Sequence, residues 1–88
     1  MSLMNSAGGS LTDAVEKAII EALGEGSTAE VQGAGGHFTI RTVSAAFEGK
    51  GLLAKQRLVM RAVAPFMGGD DAPVHAIDTL ITLTPDEA

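Results

Sequence analysis

The chain contains no cysteine, no tryptophan and no tyrosine, and its aromatic residues are three phenylalanines. Without a thiol it can form no disulfide, no thiolate nucleophile, no zinc–thiolate site and no iron–sulfur site held by its own sulfur. Three phenylalanines supply a base-stacking platform for single-stranded nucleic acid poorly. Positive charge is scarce as well: six Lys and Arg stand against eleven Asp and Glu, a net −5 that argues against a generic nucleic-acid binder. No apolar run approaches the roughly 18–20 residues that span a bilayer. Met1 to Ser10 holds no basic residue and no apolar stretch of signal-peptide length. These absences predict a soluble, cytoplasmic protein with no membrane contact.

What is present suffices for one small fold. With 88 residues, 45% apolar and 19% charged, the chain has the composition of a globular domain and the length for a single core, burying about 60–65% of its unfolded surface. Met1-Ser2-Leu3 ahead of a second methionine, Met4, looks like an expression scar. Residues 1–10 are expected to form a disordered N-terminus and residues 11–88 a single domain. The basic residues are clustered. Five of the six (Arg41, Lys50, Lys55, Arg57 and Arg61) lie between positions 41 and 61 with only Glu48 against them. That window therefore carries +4 and the remainder −9. Such a patch suits an anionic partner; a solvated helix face with uneven charge is the plainer alternative.

The elements follow from periodicity and punctuation. Ser10 and Asp13 have capping spacing, and Leu11, Val15, Ala18, Ile19 and Ala22 recur on one face of a helix over 11–23, ended by Gly24 and Gly26. Thr28–Gly33 and His37–Ser44 read as strands joined by the turn Gly33-Ala34-Gly35-Gly36. That glycine run lacks the Gly-Lys-Ser/Thr ending of a phosphate loop and joins strand to strand, so it reads as a turn. Phe47, in the connection Ala45–Gly51, should plug a core gap. A second helix over 53–67 presents Leu58, Val59, Ala62, Val63, Phe66 and Met67, with Pro65 kinking or ending its last turn. After the break at 68–73, Val74–Thr84 is a third strand, with His75, Ile77, Thr79, Ile81 and Leu83 on one parity. Thr84-Pro85-Asp86-Glu87 resembles a helix start with no length left for a helix. The expected fold is α+β: helix-strand-strand-helix-strand, a three-stranded mixed sheet with both helices on one face.

Catalytic chemistry is thinly supplied. No Ser/His/Asp arrangement, carboxylate pair or metal triad stands out, and two histidines without a cysteine make a small inventory; the chain is not expected to be an enzyme.

His37-Phe38, the block Val43-Ser44-Ala45-Ala46-Phe47-Glu48-Gly49-Lys50, and Val74-His75-Ala76 followed by Thr84-Pro85-Asp86-Glu87 resemble the BolA family in order and spacing, over roughly residues 11–87. The element order is that family's fold, related to the second type of KH domain. Many members have Arg-His-Arg at the start of the second helix. Here Lys55-Gln56-Arg57 is closer to the IbaG branch, also called YrbA. Some members carry a cysteine in the hairpin loop, where this chain has Ala34.

The resemblance implies a non-enzymatic partner of a monothiol glutaredoxin, sharing a 2Fe–2S cluster with it and with glutathione, in iron homeostasis or a stress response. It implies His75, in the family's His-Ala position, as an iron ligand. His37 either replaces the missing loop cysteine or simply begins a strand. Two neutral imidazoles cannot supply the thiolate charge that such clusters need, so no cluster is expected in the isolated chain, which should be a monomer. Lys50, Lys55, Arg57 and Arg61 would meet the partner, with Arg57 and Arg61 on one helical face. The alternative is a KH-like nucleic-acid-binding transcriptional regulator. Against it, the Gly-x-x-Gly clamp of such domains should join two helices, whereas Gly49 and Gly51 are too close together and follow a strand.

Overall fold

The computed structural model describes residues 10–88; the expectations for a scar and a disordered N-terminus fall largely outside them. Helix α1 spans Leu11–Leu23. Val15 and Ile19 are fully buried in it, and Leu11, Ile20 and Leu23 pack around them. Ala22, assigned to the buried face from spacing, is exposed instead. The stripe follows the larger residues Leu11, Val15, Ile19 and Leu23, which offer more apolar area to the sheet and the other helix. Ser10 does not cap the helix through its side chain. Its hydroxyl lies 3.4 Å from that of Thr12, away from the free amides. Gly24 ends the helix with φ +109° and donates its N–H to the Ile20 carbonyl at 2.8 Å.

Strands β1 (Thr28–Ala34) and β2 (His37–Val43) pair antiparallel. Gly33 and Ala34 belong to the ladder, opposite Phe38 and His37, so the turn tightens to Gly35-Gly36. Both have positive φ, +66° and +85°, the backbone that a two-residue hairpin with matched twist requires. Ser44 follows β2 and fixes a single 3-10 turn, Ala45–Phe47. Its Oγ accepts from the Ala46 N–H at 3.0 Å and from the Ser27 hydroxyl at 2.8 Å. This drives Phe47 into the core, where it is wholly buried.

Helix α2 spans Leu52–Val63 and passes into a 3-10 turn, Ala64–Phe66. The transition falls at Pro65, which has no N–H for the Arg61 carbonyl. Val59 and Val63 are fully buried, flanked by Leu58, Ala62, Phe66 and Met67. Strand β3 (Ala76–Leu83) then pairs parallel with β2, giving the sheet order β1-β2-β3. This is the expected α+β arrangement: a mixed three-stranded sheet whose core side, lined by Ala29, Val31, Phe38 and Ile40, is covered by both helices.

The single parity expected of β3 does not hold. Phe38 pairs with Ile77 but Thr39 pairs with Thr79, so Asp78 is an extra residue, a bulge. The bulge reverses the alternation. Ile77 and Leu80 both reach the core, Thr82 is buried, and Ile81 is exposed. The open side of the sheet carries the polar residues Glu30, Gln32 and Thr39.

Candidate functional site

At the hairpin end of the sheet, β3 enters alongside the turn. The N–H groups of His75 and Ala76 both donate to the Gly36 carbonyl, at 2.8 and 3.0 Å. Val74, buried just before them, donates its N–H to the Phe66 carbonyl at 3.1 Å, tying this entry to the end of α2. The exposed His75 imidazole lies against Gly36. A Cβ built on that glycine would meet the ring Cγ and Nδ1 at 2.7 Å. Gly36 is thus required twice, for its positive φ and for the space that the ring occupies.

His37 begins β2 in the next rung, between Ala34 on β1 and Ala76 on β3. Its Nδ1 lies 3.2 Å from Oδ1 of Asp78, the bulge residue, and both side chains are more than half exposed. A carboxylate at Nδ1 favours the tautomer with the proton there, leaving Nε2 as the free lone pair. The two imidazoles therefore sit at the same end of the sheet with different neighbours, a turn glycine for His75 and a carboxylate for His37. Ala34 lines an open cleft of about 460 Å³ between this hairpin and the start of α1, floored by Leu11 and Phe38.

The basic window divides. Arg41 lies on the open sheet face, 4.0 Å from Glu30. Lys55 has its side chain mostly covered, with Nζ 3.8 Å from Oε1 of Glu87. Glu87 itself accepts from the Thr84 N–H at 2.8 Å and returns its own N–H to the Thr84 carbonyl at 3.0 Å, so Thr84–Glu87 forms one capped turn. The Thr84 amide first, and Lys55 second, hold the Glu87 carboxyl below its usual range. Lys50, Arg57 and Arg61 come together along one open groove of about 290 Å³ floored by Ala54 and Leu58. Among the described residues none of these three makes an ion pair.

The family model for BolA-like proteins matches residues 11–87. The chain belongs to the BolA-like family. A BolA protein homologue from Coxiella burnetii is 34% identical, with 89% of this chain and 95% of that one covered and a TM-score of 0.71. A Bol-like protein from Babesia bovis is also 34% identical, covering 89% and 88%, with a TM-score of 0.68. The BolA domain of SufE1 from Arabidopsis thaliana, 23% identical over 88% and 94% at a TM-score of 0.66, shares the fold. A search of curated proteins finds no match. BolA-like proteins are in general non-enzymatic regulators or partner proteins, and no helix among the described residues is long and apolar enough to cross a membrane.

In this BolA-like chain no three His, Cys, Asp or Glu side chains gather to hold a metal among the described residues. What the hairpin end offers is two exposed imidazoles, a donor set that fits the histidine half of a cluster whose thiolates come from elsewhere. Two features of the BolA-like surface were not drawn from the sequence. Asp78 became the partner of His37, and the one signal was an acid interrupting the apolar run of β3. Leu52 and Leu53, which open α2, are 64% and 60% exposed. Helical spacing hinted at this for Leu53 alone, which lies off the Val59–Val63 stripe; Leu52, seven residues before Val59, falls on that stripe and is exposed at the very start of the helix.

Proposed function

We propose that this BolA-like chain is a non-enzymatic partner of a monothiol glutaredoxin, and that the two share a 2Fe–2S cluster in iron–sulfur homeostasis or a stress response. The observation that carries the reading is the seat of His75. A glycine with no Cβ, two backbone hydrogen bonds and a buried Val74 fix the root of an imidazole that remains open to solvent. A solvent-facing ring held that firmly, in a chain with no thiol of its own, suits ligation of iron presented by another protein.

His75 is the first ligand and His37, through Nε2, the second. The partner's cysteine and glutathione supply the sulfur that this chain lacks. The cluster, when bound, supplies electron-transfer or iron–sulfur delivery chemistry; this chain's residues hold it and set its surroundings. Lys50, Arg57 and Arg61 meet the partner's acidic surface. Lys55 acts at one remove, by locking the Thr84–Glu87 turn. Lys55-Gln56-Arg57 supports placement near the IbaG branch. A cytosolic location goes with this reading, because reduced glutathione is abundant there.

The test is anaerobic reconstitution with a monothiol glutaredoxin and glutathione, read by visible absorption and circular dichroism. His75→Ala should abolish or strongly destabilise the chromophore. A His75→Ala spectrum and stability identical to wild type would remove the assignment. The unpaired cations of the α2 groove support one other reading, a nucleic-acid-binding regulator. Binding of that kind should weaken by about 0.9 log unit per log unit of salt for each phosphate contact on duplex DNA, and Arg57→Glu/Arg61→Glu should abolish it.

A further inference from the structure

The N-terminal half of α2 combines features that phosphate binding does not explain. Leu52 and Leu53 are the two most exposed large apolar side chains among the described residues. Leu53, Arg57 and Arg61 are spaced i, i+4, i+8, so one row of the helix runs from an exposed leucine to two unpaired arginines. Beside that row lies the groove whose floor is Ala54 and Leu58 and whose rim is Lys50, Arg57 and Arg61. The helix start adds to the positive field. Its N-cap is Gly51, which offers no side chain, and its first turn holds no acid. Its amide-rich end is therefore left for an outside carboxylate.

Resting on the reading above only in taking this face as a docking surface, we propose that its occupant is a protein with an acidic rim around an apolar pocket. Leu53 is the anchor that enters that pocket, Leu52 lies about 100° round the helix at its start, and Lys50, Arg57 and Arg61 close over the rim. Charge complementarity selects the acid and exposed leucine selects the pocket. A phosphate backbone satisfies the first and offers the second no apolar surface to bury against. Nor can bases be stacked on this face: Phe38 and Phe47 are buried, and Phe66 packs against the core. An apolar anchor ringed by charge is the arrangement in which a few central side chains carry most of a protein interface's affinity.

Two arms of one experiment test this. Nuclear magnetic resonance titrations of the 15N-labelled full chain use an apo monothiol glutaredoxin in one arm. In the other they use a designed acidic helical peptide bearing leucine on one face, with a matched peptide whose leucines are replaced by glutamine. The variants are Leu52→Gln/Leu53→Gln, chosen because glutamine keeps helix propensity, and Arg57→Glu/Arg61→Glu. The leucine-bearing peptide should shift resonances of residues 50–61, and the double glutamine variant should weaken it by about tenfold or more at unchanged melting temperature. The charge reversal should abolish binding. Equal binding of the two peptides, or indifference to the leucine substitutions, overturns the proposal, because charge alone would then account for the surface. Binding of a 20-base-pair DNA to the same resonances, unweakened by the glutamine variant, also overturns it. If the peptide result holds and glutaredoxin does not bind, the glutaredoxin reading falls and the docking chemistry stands. If glutaredoxin binds wild type and the glutamine variant equally, the reverse is true.

Discussion

Alanine at Gly36 tests the seat of His75 directly, and Gly35 supplies the control. Both turn glycines have positive φ, so alanine at either incurs about 1–2 kcal/mol of left-handed strain. At Gly35 the new methyl meets nothing within 4 Å. At Gly36 it would lie 2.7 Å from Cγ and Nδ1 of His75 and 3.2 Å from its Cβ. Contacts that close to the root of a side chain are not relieved by swinging its tip. The ring must leave its χ1 well or the start of β3 must move, and the two hydrogen bonds to the Gly36 carbonyl resist the second. Overpacking costs about 1–3 kcal/mol, and the exposure of His75 puts this case at the low end. Gly36→Ala should therefore lose about 2–3 kcal/mol against about 1–2 for Gly35→Ala, read as urea midpoints at equal slope. In a His75→Ala background the difference between the two glycines should largely vanish. Equal losses at both glycines, with no coupling to His75, would refute the packing argument on which the ligand assignment leans.

Other expectations are independent of that one. Phe47→Ala, which empties a fully buried site, should cost about 3–5 kcal/mol; an unchanged thermal melt would show that the 3-10 turn is no part of the core. Glu87 has a carboxyl pKa below its ordinary value through Thr84 and Lys55, so its ionised form stabilises the folded chain. That contribution is full above the unfolded carboxyl's pKa and is lost as pH falls through the folded value. The wild-type melting advantage over Glu87→Gln should thus be present at neutral pH and disappear once the pH has fallen below the lowered folded-state value. A pH-independent difference would contradict the turn electrostatics. In the isolated chain, 15N resonances of His37 should report the Nδ1–H tautomer, and Asp78→Ala should shift the ring toward Nε2–H, the tautomer favoured without a partner. Identical ring shifts in both proteins would mean that Asp78 does not orient His37.

Sequence periodicity found both helices and all three strands within a few residues, because glycine and proline mark almost every boundary; the 3-10 turn Ala45–Phe47 lay hidden in what reads as a plain connection. Gly24, Gly35-Gly36 and Pro65 each stop a ladder for a reason readable one residue at a time: positive φ or a missing amide. Burial of Phe47, Val59 and Val63 was equally accessible: Phe47 is the one aromatic in its connection, and the two valines stand in the apolar stripe of α2. Three-dimensional placement of charge was not. Lys55 and Arg57 are two apart on one helix, yet one is covered by the Thr84–Glu87 turn and the other rims an open groove. Only the packing of β3 against α2 decides which. His75 was singled out by the family resemblance, but its support, Gly36, lies 39 positions earlier, and no local pattern joins them. Parity in β3 failed for a related reason. Alternation that starts at His75 is broken at Asp78, because an inserted residue changes every later assignment.

That inserted residue distinguishes what the core demands from what it does not. In β3 the inward positions are Ile77, Leu80 and Thr82, paired with Phe38, Ile40 and Thr42. The β2 positions are two apart throughout; the first β3 interval is three. If Asp78 is removed, Ile77, Leu80 and Thr82 fall into regular alternation opposite the same partners, with Thr79 and Ile81 outward. The hydrophobic pattern is therefore satisfied without the bulge. Bulges re-aim side chains beside functional positions, and this one turns a carboxylate toward His37 at 3.2 Å. Deleting Asp78 should leave a folded chain whose stability is within about 1 kcal/mol of wild type or above it, since one irregular rung is replaced by a regular one. It should also free the His37 ring from its fixed tautomer. Urea unfolding and 15N ring shifts on the deletion variant read the two effects separately. A deletion that unfolds the domain would mean that the extra residue serves the sheet and not His37.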